Sequence, residues 1–186
     1  MAVFPVVLDA NVLFGILPAD LLVTAAGRGL FRVHWSDEII DEARRNVLAK
    51  RTNLDPARVR RRFDLMNEAM PSATANPPQE IIDAMTNDPK DRHVLATAVH
   101  VGAEVIVTEN VSDFPEAACL PHNVEIQTLD QFISHLVALN PEEVLASVDE
   151  MADRRRRPPN TQAALLDLLE EKYLPTAVPR LRATIY

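Results

Sequence analysis

The stretch DPKDRHVLATAVHVGAEVIVT, residues 88–108, predicts a helix that leads directly into a buried strand. Asp88 followed by proline is typical of a helix start, and Asp91 falls at the capping-box position. Apolar residues then recur at helical spacing, and Gly102 ends the helix because glycine readily takes the left-handed conformation. Glu104–Thr108 is a compact run of mostly β-branched residues. The stretch therefore predicts one helix–strand unit of an α/β protein.

The same alternation extends to both sides of this unit. Residues 3–8 predict a buried strand that ends at Asp9. Phe31–Trp35 and Val124–Gln127 predict two more strands. Alternation of this kind argues for a three-layer α/β/α domain with a central parallel sheet. The other predicted helices are Leu21–Arg28 with Asp20 as cap, a Ser36-capped helix to about Arg51, Pro56–Met70 behind Asp55, Gln79–Met85, and Leu129–Leu139 behind Thr128.

Pro141 marks a predicted boundary between two parts of the chain. Residues 1–139 form the α/β domain, and residues 140–186 form a C-terminal helical extension with helices from about Glu142 to Arg155 and over Thr161–Tyr173. An extension of this length is too short to bury a core of its own. We therefore expect it to pack on the main domain or on a partner.

Composition excludes several classes of site. The chain has 186 residues with only 4 glycines and 1 cysteine, so glycine-rich phosphate loops, a disulfide framework and a cysteine-based zinc cluster are ruled out. No apolar run approaches the length of a membrane span, and no basic segment precedes the first apolar stretch. These features predict a cytoplasmic location without membrane contact. The 5 histidines have no ligand spacing and predict structural or surface groups.

Four carboxylates fall where a parallel α/β sheet gathers its ligands, outside the carboxyl ends of the strands. They are Asp9, Glu42, Asp91 and Asp113. Converging carboxylates repel one another, and a hard cation such as Mg²⁺ or Mn²⁺ offsets that repulsion. Metal sites of this kind typically hydrolyse phosphodiesters. Each residue also has a simpler interpretation: a turn former for Asp9, a solvated helix residue for Glu42, a helix cap for Asp91 and a loop stabiliser for Asp113.

Four segments in this order resemble the motifs of PIN-domain nucleases, in particular the VapC-like toxins of type II toxin–antitoxin pairs. The segments are VLDANVL (Val7–Leu13), IDEARR (Ile40–Arg45), DPKDRHVLA (Asp88–Ala96) and VTENVSDF (Val107–Phe114). The resemblance covers about residues 1–138. It implies a magnesium- or manganese-dependent endoribonuclease that acts on single-stranded or loop RNA, is inhibited by a cognate antitoxin protein, and is often a homodimer.

The resemblance also assigns roles to individual residues. It implies catalytic roles for Asp9, Glu42, Asp91 and Asp113, with Asp9, Asp91 and Asp113 as metal ligands, and supporting roles for Asn11, Thr108, Asn110 and Asp88. Glu109 departs from the family pattern, which has a small residue or glycine there. Its carboxylate either adds negative charge beside the site or points away from it.

A net charge of −8 argues against a nucleic-acid partner, but the charge is unevenly distributed. Residues 37–62 and 154–186 are basic islands that flank an acidic middle. Because an acidic site cannot attract RNA unaided, we predict RNA contacts from Arg44 and Arg45, on the helix of Glu42, and from Arg61 on the next helix. The alternative for the arginines at 58–62 is pairing with an acidic antitoxin segment or with the acidic middle of the chain. The run Arg154–Arg157 is a second candidate, with interaction at a helix C-terminus as its alternative.

Two other functions remain open at this point. The first is a non-catalytic PIN-like module that binds protein or RNA. The second is a phosphatase that uses Asp9 as nucleophile. The phosphatase is disfavoured because none of the three lysines, Lys50, Lys90 and Lys172, lies near a later strand end to hold a phosphoryl group.

Overall fold

A parallel sheet forms the centre of the computed structural model, which describes residues 3–185. Its strands are β1 (Pro5–Leu8), β2 (Arg32–His34), β3 (Val105–Val107) and β4 (Glu125–Gln127), in the spatial order β2-β1-β3-β4. All neighbours pair in parallel, and Val7 lies opposite His34 on one side and Ile106 on the other. The carboxyl ends of β1 and β3 are therefore adjacent, which places Asp9 beside Thr108. Helices on both sides complete the predicted three-layer α/β/α domain.

The first crossover contains two helices, α1 (Ala10–Phe14) and α2 (Ile16–Gly27), that meet at an extended Gly15. The prediction of a single helix capped by Asp20 was wrong. Asp20 lies inside α2, since Pro18 fits the first turn of a helix that begins at Ile16. The short helix α1 was missed because it spans little more than one turn.

Four helices connect β2 to β3: α3 (Asp37–Lys50), α4 (Pro56–Ala69), α5 (Gln79–Ala84) and α6 (Arg92–Val101). The predicted caps of α3 and α4 are confirmed, because Ser36 accepts from the amide of Ile39 and Asp55 accepts from that of Ala57.

The start of α6 differs from the prediction. Asp88 does not cap the helix but accepts from the amide of Lys90 in a preceding turn, and α6 begins only at Arg92. Asp91 occupies the N-cap position without a side-chain capping bond. Helix capping therefore does not account for the Asp91 carboxylate.

The chain after β3 forms the short α7 (Glu116–Cys119), then β4 and α8 (Leu129–Leu139). The predicted bounds of α8 are confirmed, and Thr128 and Gln131 form a complete capping box. The extension consists of α9 (Pro141–Asp153), α10 (Gln162–Lys172) and α11 (Ala177–Ile185). The last of these was not predicted. Its first turn is held by Asp130, which accepts from the amides of Thr176 and Ala177.

The extension packs on the main domain, as expected. Leu165, Leu169 and Leu181 are buried in the same hydrophobic core as the sheet. Arg154 donates to Asp20 and Thr24 on α2, so this arginine of the predicted RNA-binding run is held within the fold. None of the described helices is both long and apolar enough to cross a membrane.

Candidate active site

Asp9 is the centre of a hydrogen-bond network between the ends of β1 and β3. Its side chain is only 2% exposed. One carboxylate oxygen accepts from the amide of Ala10 at 2.6 Å, and the other accepts from Asn11 Nδ2 at 2.6 Å and Thr108 Oγ1 at 2.7 Å. Asn11 Nδ2 also lies 2.8 Å from Thr108 Oγ1. The predicted supporting residues Asn11 and Thr108 therefore fix the orientation of the Asp9 carboxylate.

Burial makes the negative charge of Asp9 costly. Removal from water raises the pKa of Asp9, although hydrogen bonds from Thr108 and from the Ala10 amide act in the opposite direction. The nearby Glu42 carboxylate raises it further. Asp9 is therefore held firmly in place but lacks full compensation of its charge.

Asp91 shows that the predicted carboxylates come together. It is 9% exposed and lies at the start of α6. Burial, followed by the charges of Asp9, Asp113 and Glu42, raises its pKa to about 6. Three carboxylates from three other parts of the chain thus act on Asp91, as expected for side chains gathered at the carboxyl edge of the sheet.

Glu42 is paired with a residue that the sequence analysis did not assign to the site. The Nε2 atom of His93 lies 3.5 Å from Glu42 Oε2, and its Nδ1 atom lies 4.0 Å from Glu38 Oε1. Interaction with His93 is the main reason that the pKa of Glu42 is lowered. Burial opposes the charged imidazole, but the contact with Glu42 and the charge of Glu38 outweigh it and raise the pKa of His93.

The interpretation of the histidines is therefore corrected for His93, which is 5% exposed within the acidic cluster. The sequence offered one indication that His93 belongs to the site: it follows Asp91 by two residues and lies in the first turn of α6.

Asp113 enters the site on a short 3-10 turn, Val111–Asp113, after β3. Its side chain is half-buried, and its backbone carbonyl accepts from the amide of Asp88 at 3.4 Å. Asp88 thus borders the site through its backbone, with its own carboxylate exposed. The amide of Asn110 donates to Thr108 Oγ1 at 3.0 Å, which ties this loop to the Asp9 network.

The Glu109 carboxylate points away from the carboxylate cluster. One of its oxygens accepts from the amide of Leu129 at 3.0 Å, in the first turn of α8, where the helix dipole favours an anion. The Glu109 amide donates to Asn11 Oδ1 at 3.0 Å. The residue that departs from the family pattern thus links the loop after β3 to α8.

The three predicted RNA-binding arginines lie in different surroundings. Arg45 is exposed on α3 and lowers the pKa of Glu42 through its charge, so it lies near the site. Arg44 pairs with Asp41 at 2.8 Å. Arg61 pairs with Glu68 at 2.6 Å and lines a groove between α2 and α4.

The carboxylates of Asp9, Asp91 and Asp113 are chemically suitable ligands for a hard divalent cation, because they offer oxygen atoms with uncompensated negative charge. Over residues 3–185, however, no group of three histidine, cysteine, aspartate or glutamate side chains is placed so that it could hold a metal ion.

The model of the PIN domain matches residues 5–112, which include Asp9, Glu42, Asp91 and Thr108 and end one residue before Asp113. The chain belongs to the PIN-domain family.

Within that family, the chain is similar to VapC proteins. The VapC50 C-terminal domain model matches residues 129–183, from the first residue of α8 through the extension. A Mycobacterium tuberculosis H37Rv protein named "Putative ribonuclease VapC50" is 42% identical over 93 residues, which cover 50% of this chain and 55% of that relative. The match thus spans about half the length of the relative. No solved structure matches the chain significantly.

Proposed function

We propose that this protein is a Mg²⁺- or Mn²⁺-dependent endoribonuclease, the toxin of a VapBC-type pair, that hydrolyses phosphodiester bonds of RNA in the cytoplasm. The observation that carries the proposal is the placement of the buried Asp9 and Asp91 carboxylates at the carboxyl edge of the sheet, within the electrostatic reach of Glu42 and Asp113. This cluster has more negative charge than its one imidazole, His93, can offset. A divalent cation would supply the missing charge.

In the proposed mechanism, Asp9, Asp91 and Asp113 would hold the metal. When bound, the metal supplies activation of water and stabilisation of charge on the phosphate. The chain's own residues orient the reacting groups. Asn11 and Thr108 fix the Asp9 carboxylate, and the contact with His93 keeps Glu42 ionised beside it.

The first test is metal dependence. We expect the protein to cleave a single-stranded RNA in Mg²⁺ or Mn²⁺ and to lose at least about 100-fold in rate in EDTA, because the metal activates the water. Gel electrophoresis of an end-labelled RNA measures the rate. An Asp9→Asn variant purified in the same way controls for contaminating nucleases, and buffer without protein controls for cleavage by free metal. Equal cleavage rates with Mn²⁺ and with EDTA would refute the proposal.

A non-catalytic binding module remains the second candidate, because the described side chains do not form a ready metal site. Calorimetric titration with Mn²⁺ separates the two functions. If the protein is a nuclease, Mn²⁺ binding should be saturable and depend on the carboxylates. If it is a binding module, we expect neither Mn²⁺ binding nor RNA cleavage with Mn²⁺ or with EDTA.

The antitoxin partner has a suitable surface in the groove between α2 and α4. The groove has a volume of about 820 Å³. Ile16 and Leu65, which are 55% and 48% exposed, supply apolar contacts. Arg58, Arg61, Arg62 and Arg154 also line it, but three of them are already bound within the fold: Arg61 to Glu68, Arg62 to backbone carbonyls, and Arg154 to Asp20 and Glu150. The exposed apolar side chains therefore favour the apolar face of an amphipathic antitoxin segment.

We expect Leu65→Glu to weaken inhibition by the antitoxin at least tenfold, because a carboxylate would enter the apolar floor of the groove. Titration of RNA cleavage against the cognate antitoxin measures the effect. Leu120→Glu is the matched control, since Leu120 is 68% exposed and lies outside the groove. Equal inhibition of Leu65→Glu and Leu120→Glu would place the antitoxin elsewhere.

The homodimer stays a prediction from the resemblance, and light scattering would measure it.

A further inference from the structure

The C-terminal extension contributes to a pocket beside the proposed catalytic centre. The pocket has a volume of about 340 Å³. The part of its lining that bears on recognition consists of Asn11, Phe14, Arg51, Glu109, Lys172 and Tyr173. Asn11 belongs to the Asp9 network, with its Nδ2 atom 2.6 Å from Asp9 Oδ2. The pocket and the catalytic centre therefore share a wall.

We infer that this pocket is a nucleotide subsite, in which the extension holds a base and phosphate of single-stranded RNA next to the bond that is cleaved. The inference rests on the proposed function for the identity of the ligand. It assigns a role in substrate binding to the segment that begins at α8, a role that the nuclease motifs do not explain.

Of the two aromatic residues in the lining, Tyr173 is the one that suits an unpaired base, because Lys50 and Arg51 lie over the Phe14 ring, 5.3 and 5.5 Å from its centroid. Tyr173 follows α10 and is half-buried, so it presents part of its ring to the pocket. Phe14 ends α1 and is also half-buried. Single-stranded nucleic acid is typically bound by stacking of bases on aromatic side chains, and a pocket of this size is large enough for one nucleotide.

Two cations in the lining suit the phosphate. Lys172 is exposed at the end of α10, and Arg51 is exposed at the end of α3. The Arg51 guanidinium lies over the Phe14 ring, 5.5 Å from its centroid, which holds this charge at the pocket wall. The one carboxylate in the lining, Glu109, is directed to the Leu129 amide, where the dipole of α8 offsets its charge.

The pocket also explains how RNA can approach an acidic centre. The carboxylates around Asp91 repel a polyanion, so binding energy must come from neighbouring groups. Lys172 and Arg51 place two positive charges on one side of the Asp9 network, at a position that a nucleotide flanking the reacting phosphate would occupy.

RNA binding without metal tests the subsite independently of cleavage. The probe is a fluorescein-labelled ten-nucleotide single-stranded RNA in EDTA, with fluorescence anisotropy as the readout and a gel to confirm that the RNA stays intact. We expect Tyr173→Leu to raise the Kd about tenfold through loss of stacking, and Tyr173→Phe to leave it unchanged. We expect Lys172→Ala to reduce the slope of log K against log salt by about 0.7, as one lost phosphate contact requires.

Arg180→Ala is the matched control, because Arg180 is an exposed cation of the same extension outside the pocket lining. Its salt slope should equal that of the parent. If Tyr173→Leu does not fold, Lys172→Ala still tests the subsite, since Lys172 is exposed. An unchanged salt slope in Lys172→Ala, or a parent that does not bind the RNA, overturns the subsite. A parent that binds with the expected variant effects but does not cleave RNA with Mn²⁺ overturns the proposed hydrolysis and keeps the subsite.

Discussion

Asp91→Asn is expected to abolish RNA cleavage and, at the same time, to make the metal-free protein more stable. Burial and the charges of Asp9, Asp113 and Glu42 raise the pKa of Asp91 from 3.8 to about 6. A carboxyl whose pKa is higher in the folded than in the unfolded state destabilises the protein when it ionises. The free energy of unfolding therefore falls as the pH rises from about 4 through 6. Allowing for partial solvent screening, this cost at pH 7.5 is on the order of 2 kcal/mol.

Asparagine keeps the shape of Asp91 but has no charge to ionise. In EDTA at pH 7.5 we expect the variant to melt roughly 5 °C above the parent, and at pH 4 the two should melt together, because Asp91 is then protonated. Cleavage should fall at least about 10³-fold, since the site loses a ligand charge that is worth several kcal/mol. Differential scanning fluorimetry and the RNA gel assay measure the two effects.

Asp64→Asn is the matched control, because Asp64 is an exposed carboxylate on α4. It should change neither the melting temperature nor the cleavage rate. An Asp91→Asn variant that cleaves RNA as fast as the parent would show that the site assignment is wrong. A variant that is less stable than the parent at pH 7.5 would show that the carboxylates do not repel one another as the geometry implies.

Most of the sheet and several helix ends could be predicted because their causes are local. Thr128 and Gln131 cap α8 within four residues, and Ser36 and Ile39 close the start of α3 over the same spacing. Asp88 and Asp91 show the limit of such reasoning. In the segment Asp-Pro-Lys-Asp, either carboxylate fits the start of a helix. Only the packing of α6 decides that Asp88 accepts a hydrogen bond in a turn and that Asp91 makes no capping bond.

The sequence predicts those site residues that directly follow a strand, but it does not predict contacts between segments that are distant in the chain. Asp9 and Thr108 directly follow β1 and β3, and adjacency of these strands brings them together. The direction of Glu109 could not be read from the sequence, because it depends on where α8 begins to pack against the loop. Tyr173 lies 162 positions from Asn11, beyond the reach of any motif spacing, yet both line one pocket. The predicted boundary between residues 139 and 140 stays a prediction.

Adjacent arginines on α4 show the same difference between local and long-range causes. Arg61 is exposed and pairs with Glu68 on its own helix. Arg62 is half-buried and donates to the carbonyls of Leu13, Phe14 and Gly15, at 2.6, 3.1 and 2.9 Å. Nothing in the local sequence separates the two residues, because the carbonyls at the end of α1 reach Arg62 only through tertiary packing.

Arg62→Gln is therefore expected to destabilise the protein strongly, whereas Arg61→Gln should leave its melting temperature unchanged. Removal of the guanidinium leaves carbonyls at the α1–α2 junction without their charged donor, at a cost of about 3 kcal/mol. Arg62→Lys should also be destabilised, because one ammonium group cannot reproduce the planar fork over three carbonyls. Urea denaturation with a common m-value measures the differences. Equal stability of the Arg61→Gln and Arg62→Gln variants would show that the Arg62 contacts do not hold α1, and with it the Asp9 network, in place.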